Sequence, residues 1–318
     1  MFNLLPKQIK YPWAHPYSAL TTAIGLIFGL TFSGCGEEGE TTPTTLTNPA
    51  GYSQSNDSSI TLKLLGDAPV ALTTATIDVT DKDGVVIGAL VLDNAQLSMD
   101  KIKLKMEGED ELNLQDESES ESTNTEDEEE REFKGPFLVD LIANTVTPTP
   151  PEAKVPAGDY KEIELSVHKI EDEDLADLTM DKNDTMYKRS IYVSGIYTPT
   201  GGSAVNFSMS YELSEEYKLS GSNAFSIGSG LVNDLVIAFR LPRWFVFDNA
   251  ETNSDGLSFA DLPVGDISLT EDSDEIAKKI RSIIKENIKL SADFGKDQDG
   301  DGKLSNDEDT ESPDEDDD

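Results

Sequence analysis

Ala75-Thr76-Ile77-Asp78-Val79 alternates apolar and polar residues, Asp81-Lys82-Asp83-Gly84 follows, and an apolar run then extends from Val85 to Leu92. Side chains on a strand alternate between its two faces, so the first segment reads as a half-buried strand. Asp and Gly cluster where a chain reverses, which makes 81–84 a turn and 85–92 the return strand. The same signature recurs outward in both directions. Ile60, Leu62 and Leu64 alternate before it; Leu97, Ile102 and Leu104 come after it. Phe137-Leu138-Val139-Asp140-Leu141-Ile142 is an apolar run with one acid, and Ile163, Leu165 and Val167 alternate strictly. Ser190 to Tyr197 and Val205 to Tyr211 flank Thr200-Gly201-Gly202, a hairpin signal, and Leu231 to Leu241 is apolar and branched. Many short strands with few helical patterns predict a mainly β chain, an antiparallel β-sandwich over residues 59–250.

One helix is legible. Ile276, Ile280, Ile283, Ile284 and Ile288 recur at helical spacing, which predicts an amphipathic C-terminal helix over about 272–294. Asp272 with Glu275 has the spacing of a capping box. Lys278, Lys279, Arg281, Lys285 and Lys289 take the other positions, so the isoleucines face the sandwich and the cations face acids on the body. Residues 107–132 carry no apolar period beyond Leu112 and Leu114 and read as an acidic, disordered insertion between strands. Its ordinary role is solvation; diffuse cation binding is the sharper alternative.

The 318 residues hold 63 acidic and 25 basic side chains, a net charge of -38. Nucleic-acid binding by counterion release needs clustered cations, so that class is excluded. Cations and basic protein patches are the natural partners. One cysteine allows no intramolecular disulfide, and two histidines (His15 and His168) with one cysteine cannot build a zinc site. His168 is expected to point outward at the end of the 161–167 strand. Trp244, Phe245 and Phe247 read as core or edge residues, with a sugar-stacking platform as the alternative.

Lys7 and Lys10 precede an apolar stretch from about Ala19 to Phe32, a signal-peptide pattern over residues 1–34. It ends Thr31-Phe32-Ser33-Gly34-Cys35, which resembles the bacterial lipobox, with Phe32 where leucine is usual. The resemblance implies lipidation of Cys35 and a place in the bacterial cell envelope, anchored in the outer membrane or at the cell surface. Residues 35–58, rich in Gly, Thr, Ser and Asn, read as a flexible tether. Leu65-Gly66-Asp67-Ala68-Pro69 and Val155-Pro156-Ala157-Gly158-Asp159-Tyr160 resemble motifs of a domain of unknown function in bacterial lipoproteins. That resemblance covers about residues 59–247. It implies a sandwich and an exported location, and no reaction. Tyr160 is expected to pack at a strand edge.

Residues 297–308 read Asp-Gln-Asp-Gly-Asp-Gly-Lys-Leu-Ser-Asn-Asp-Glu and match an EF-hand calcium loop at every required position. Calcium takes six to eight oxygens. Asp297, Asp299 and Asp301 stand at loop positions 1, 3 and 5. Gly302 permits the sharp turn, Lys303 offers its backbone carbonyl, Ser305 acts directly or through water, and Glu308 supplies two oxygens. Leu304 is the apolar anchor. The predicted helix stands in the place of an entering helix, within a polar linker, helix and loop spanning 251–308. No exiting helix is expected, because 309–318 is an acidic tail containing Pro313. These readings predict a non-enzymatic, calcium-binding, lipid-anchored protein with a structural or interaction role and a protein or glycan partner. Two rivals remain: an adhesion or glycan-binding module stabilised by calcium, and a carboxylate-based hydrolase.

Overall fold

The computed structural model describes residues 57–66, 70–71, 74–106, 132–229, 232–298, 300 and 303–304. Its centre is β4 (Val86–Met106), a 21-residue strand with partners along both edges. On one edge lie β3 (Thr74–Thr80), itself paired to the short β2 (Val70–Ala71), and then β5 (Glu132–Asp140) with β6 (Thr145–Thr147). On the other lie β9 (Ile191–Pro199) and then β8 (Gly158–Val167). The larger sheet extends through β11 (Glu215–Ile227) beyond β8, and through β10 (Val205–Tyr211) and β13 (Ile267–Leu269) beyond β9.

So long a strand has to bend, and two acids mark where it does. The pairing register shifts at Asp93 against β9 and at Asp100 against β5 and β8. Against β9 and β8 each shift inserts one residue into β4, while on the β5 side Gly135 and Pro136 stand opposite Asp100, so the buried face changes phase: Leu90 and Leu92, then Ala95, Leu97 and Met99, then Ile102 and Leu104. Asp93 and Asp100, the extra residues, are both exposed.

A smaller sheet has the order β14 (Ala292–Lys296), β12 (Val232–Phe239), β1 (Asp57–Gly66), β7 (Ala153–Pro156). Both sheets are mixed. β1 runs parallel to β12 and β10 runs parallel to β13, so the purely antiparallel expectation is corrected. The cause is connection length: each pair joins strands about 60 or more residues apart, and a crossover of that length permits parallel pairing where a tight hairpin does not. One buried cluster takes side chains from both sheets, with Phe225 of β11 meeting Phe294 of β14 at 5.9 Å.

The hairpin at Gly201 forms as read: Gly201 has φ +74° and the Gly202 amide donates to Pro199 O at 2.9 Å. The turn before β8 also forms, but Tyr160 lies fully buried, its hydroxyl donating to Pro156 O at 2.8 Å and its ring stacked on Phe225. Lys105 of β4 reaches across to β8, 2.8 Å from Glu162 Oε1 and 2.7 Å from Glu164 Oε1. Burial alone raises the Glu164 carboxyl, but the bonds from Lys105 and Lys218 outweigh it and hold the group below the usual range.

A short helix α1 (Leu241–Trp244) follows β12, and α2 spans Glu275–Leu290. The helix cap is not the box read at Asp272. Asp274 Oδ1 accepts from the Ala277 amide at 2.9 Å, one turn before the first buried position, Ala277. Ile276 lies on the solvent side at the first turn, while Ile280, Ile283, Ile284 and Ile288 enter the core. Asn287 is buried among them with its amide satisfied: Nδ2 donates to Val246 O at 2.7 Å and Oδ1 accepts from Thr252 at 2.9 Å. The cations do dock onto acids, Lys279 on Asp255 at 2.7 Å and Lys285 on Glu215 at 2.8 Å. The acidic insertion falls outside the described residues, except that Glu132 already opens β5.

Candidate metal centre

The loop that matches a calcium site begins where β14 ends. β14 pairs antiparallel with β12, Val236 opposite Gly295 and Ala238 opposite Asp293, and the Asp297 amide extends the ladder to Asp234 O at 3.0 Å. β12 in turn pairs with β1, Asp234 opposite Thr61 and Val236 opposite Lys63. Period-two alternation therefore sets Thr61, Lys63 and Leu65, then Asp234, Val236 and Ala238, then Asp293, Gly295 and Asp297 on one face of the small sheet.

Asp297 is the best-defined member. Its carboxylate is wholly buried, Oδ2 accepting from Lys63 Nζ at 2.8 Å and Oδ1 from the Gly300 amide at 2.7 Å. Gly300 has φ +76°, a conformation that disfavours a Cβ, so the chain turns back there over the carboxylate. Lys63 Nζ also lies 3.1 Å from Asp234 Oδ2, and the Thr61 hydroxyl donates to the other oxygen of Asp234. Bonding to Asp297, opposed by partial burial and aided by Asp234, raises the Lys63 ammonium above its ordinary value. The Thr61 bond, opposed by burial and aided by Lys63, lowers the Asp234 carboxyl. Leu304 is buried against Val236 and Ala238 with Leu65 alongside, the apolar anchor read at loop position 8.

Lys303 is exposed. Asp299, Asp301, Ser305 and Glu308 lie outside the described residues, as do Cys35, the signal peptide, the tether up to residue 56 and the acidic tail; residues 57 and 58, read as the end of the tether, already belong to β1, where Ser58 is buried. Among the described residues no group of three or more His, Cys, Asp or Glu converges on one point. The helix does not lead directly into the loop. β14 stands between them, because Ala292 and Phe294 alternate into the core instead of continuing a helical stripe. In the described part of the loop both Asp297 oxygens are occupied, one by the Lys63 ammonium and one by the Gly300 amide, and Leu304 fixes the far arm to the sheet.

The other candidates resolve differently. Trp244, Phe245 and Phe247 are fully buried, and the Trp244 indole N–H donates to Ser291 Oγ at 2.7 Å, so no stacking platform exists there. His168 stands just beyond β8, half-sheltered, with Nε2 3.3 Å from Asp174 Oδ2. Sequence reasoning missed Lys63, Asp234 and Thr61. Thr61 and Lys63 alternate with the apolar residues of β1, whereas Asp234 is a lone acid at the start of an apolar run. No family model matches the chain, and no curated protein or solved structure matches it either.

Proposed function

We propose that this chain is an exported, lipid-anchored calcium-binding protein whose role is structural or interactive and not enzymatic. In this reading Cys35 carries the lipid in the bacterial cell envelope, 36–56 is the tether, and the two sheets pack as a sandwich. Residues 297–308 form an EF-hand-like loop. Asp297, Asp299 and Asp301 would supply single carboxylate oxygens, Lys303 a carbonyl, Ser305 a direct or water-bridged oxygen, and Glu308 a bidentate carboxylate. Calcium supplies charge neutralisation and a fixed geometry; the chain supplies the oxygens and the frame that holds them.

The observation that carries the reading is Asp297: a buried carboxylate at loop position 1, held by the Gly300 amide and tied to the edge of a sheet. Leu304 fixes the opposite arm on the same face. Such a frame replaces the second EF-hand that this chain lacks. Without that partner the affinity should fall in the range of extracellular modules, roughly 10⁻⁴–10⁻³ M. A role in glycan adhesion through Trp244 has no support, since that side chain has no exposed face.

Isothermal titration with calcium tests the proposal. One equivalent should bind, and Glu308→Gln, which leaves Asp297 and its bonds intact, should weaken binding by at least tenfold. No saturable heat in the unaltered protein would end the reading.

A further inference from the structure

The segment between β8 and β9, residues 168–190, leaves the large sheet and returns. It folds on a small core of its own, Ile170, Leu178 and Met186. Polar bonds stiffen it: Lys182 binds Asp172 at 2.6 Å, the Tyr187 hydroxyl donates to Asp172 at 2.5 Å, and Lys188 pairs with Glu171. This segment forms one wall of a cleft of about 590 Å³ whose floor is the outer face of β9, β10 and β13.

The floor is built of hydroxyls. Ser210 lies opposite Tyr192, and Ser208 lies opposite Ser268, with Oγ atoms 3.5 Å apart; Thr270 continues the row. Each hydroxyl can donate and accept, which suits the hydroxyls of a saccharide. The wall adds charge. Arg189 lies 5.5 Å from the Tyr192 ring centroid and donates from one terminal nitrogen to Thr185 O, so its guanidinium is fixed at the rim. Lys182 lines the same wall. The wall's acid, Asp184, accepts from the Met186 amide. Lys182 is paired with Asp172, so Arg189 is the cation of the cleft whose charge is not met by a carboxylate among these contacts.

We propose that this cleft binds an acidic saccharide, its carboxylate on the Arg189 guanidinium and its ring hydroxyls on Ser208, Ser210 and Ser268. The planar fork of arginine suits a carboxylate. The volume lies within the range of small-molecule sites, about 300–1,000 Å³, enough for one or two sugar rings. The net charge of the chain does not forbid it. At physiological ionic strength charges more than about 8 Å away are largely screened, and with Lys182 paired to Asp172 the Arg189 guanidinium decides.

The site is independent of the calcium loop, and its test is run with a chelator present so that the two readings fail separately. Digalacturonate and its neutral counterpart galactobiose are titrated into the full chain by calorimetry. Digalacturonate should bind at least tenfold more tightly than galactobiose. Arg189→Gln should weaken it at least tenfold, and Ser268→Val, an exposed change on an edge strand, several-fold. Circular dichroism checks that both variants fold. Failure of both sugars to bind, equal affinity for the two, or indifference to both substitutions would overturn the proposal. So would inorganic phosphate binding as tightly as the sugar, which would leave a simple anion site.

Discussion

Lys63→Met is expected to tighten calcium binding by about tenfold. The Lys63 ammonium stands 2.8 Å from Asp297 Oδ2 and 3.1 Å from Asp234 Oδ2, a cation already seated at the first position of the loop. A metal ion cannot approach that oxygen until the ammonium leaves. Charge-assisted hydrogen bonds are worth about 1.5–3 kcal/mol. The Lys63 side chain is about one-third exposed, so solvent screening places this one near the bottom of that range. A tenfold change corresponds to about 1.4 kcal/mol. The same substitution should lower the stability of the metal-free protein, because Asp234 and Asp297 then face each other without a cation. Added calcium should restore it. Calorimetry and thermal melts with and without calcium check both halves. Unchanged or weaker calcium binding would mean that Lys63 helps hold Asp297 in place and does not compete for it.

Trp244→Ala should destabilise the protein by about 3–5 kcal/mol, the usual cost of emptying a large buried aromatic site. Trp244 is fully buried, its indole N–H bonds to Ser291 at the end of α2, and its carbonyl accepts from Asn287 at 3.3 Å. The indole therefore joins α1 to the last turn of the long helix, just where the chain enters β14 and the loop. Trp244→Phe keeps most of the volume and loses the bond to Ser291, so its cost should be smaller, about 1–2 kcal/mol. Urea denaturation of both variants gives the comparison. A loss below about 1 kcal/mol for alanine would mean that the site collapses around the gap, and that the α1–α2 junction is not tightly packed.

The two-residue period made most of the β architecture readable, because half-buried strands leave it in the sequence. The β9–β10 hairpin appeared with nearly its observed limits for that reason. β4 was only half legible. Leu97 and Ile102 lie five residues apart, an odd spacing that no regular strand gives, and the register shift at Asp100 supplies the missing residue. The same reasoning would have joined Val86 to Met106 into one bent strand. The parallel pairing of β1 with β12 was not legible at all. Nothing local distinguishes a parallel partner about 170 residues away from an antiparallel one nearby. The C-terminal helix was read from its isoleucines, but its last turn was drawn too long, because Ala292 and Phe294 fit either periodicity over so short a span. For the candidate site, Asp297 and Leu304 were named from the spacing of the loop alone. Lys63, Asp234 and Thr61 were not, because they reach Asp297 through strand pairing and not through the sequence around it.

The calcium loop itself is tested most directly by amide NMR of the full chain during a calcium titration. The account predicts a saturable, one-to-one change concentrated on residues 297–308, with the Gly300 and Gly302 amides moving most. Small, unsaturated shifts spread along the acidic stretches 107–131 and 309–318, and reproduced by sodium at matched ionic strength, would contradict it. In that case the charge of the chain attracts cations without a site to hold one.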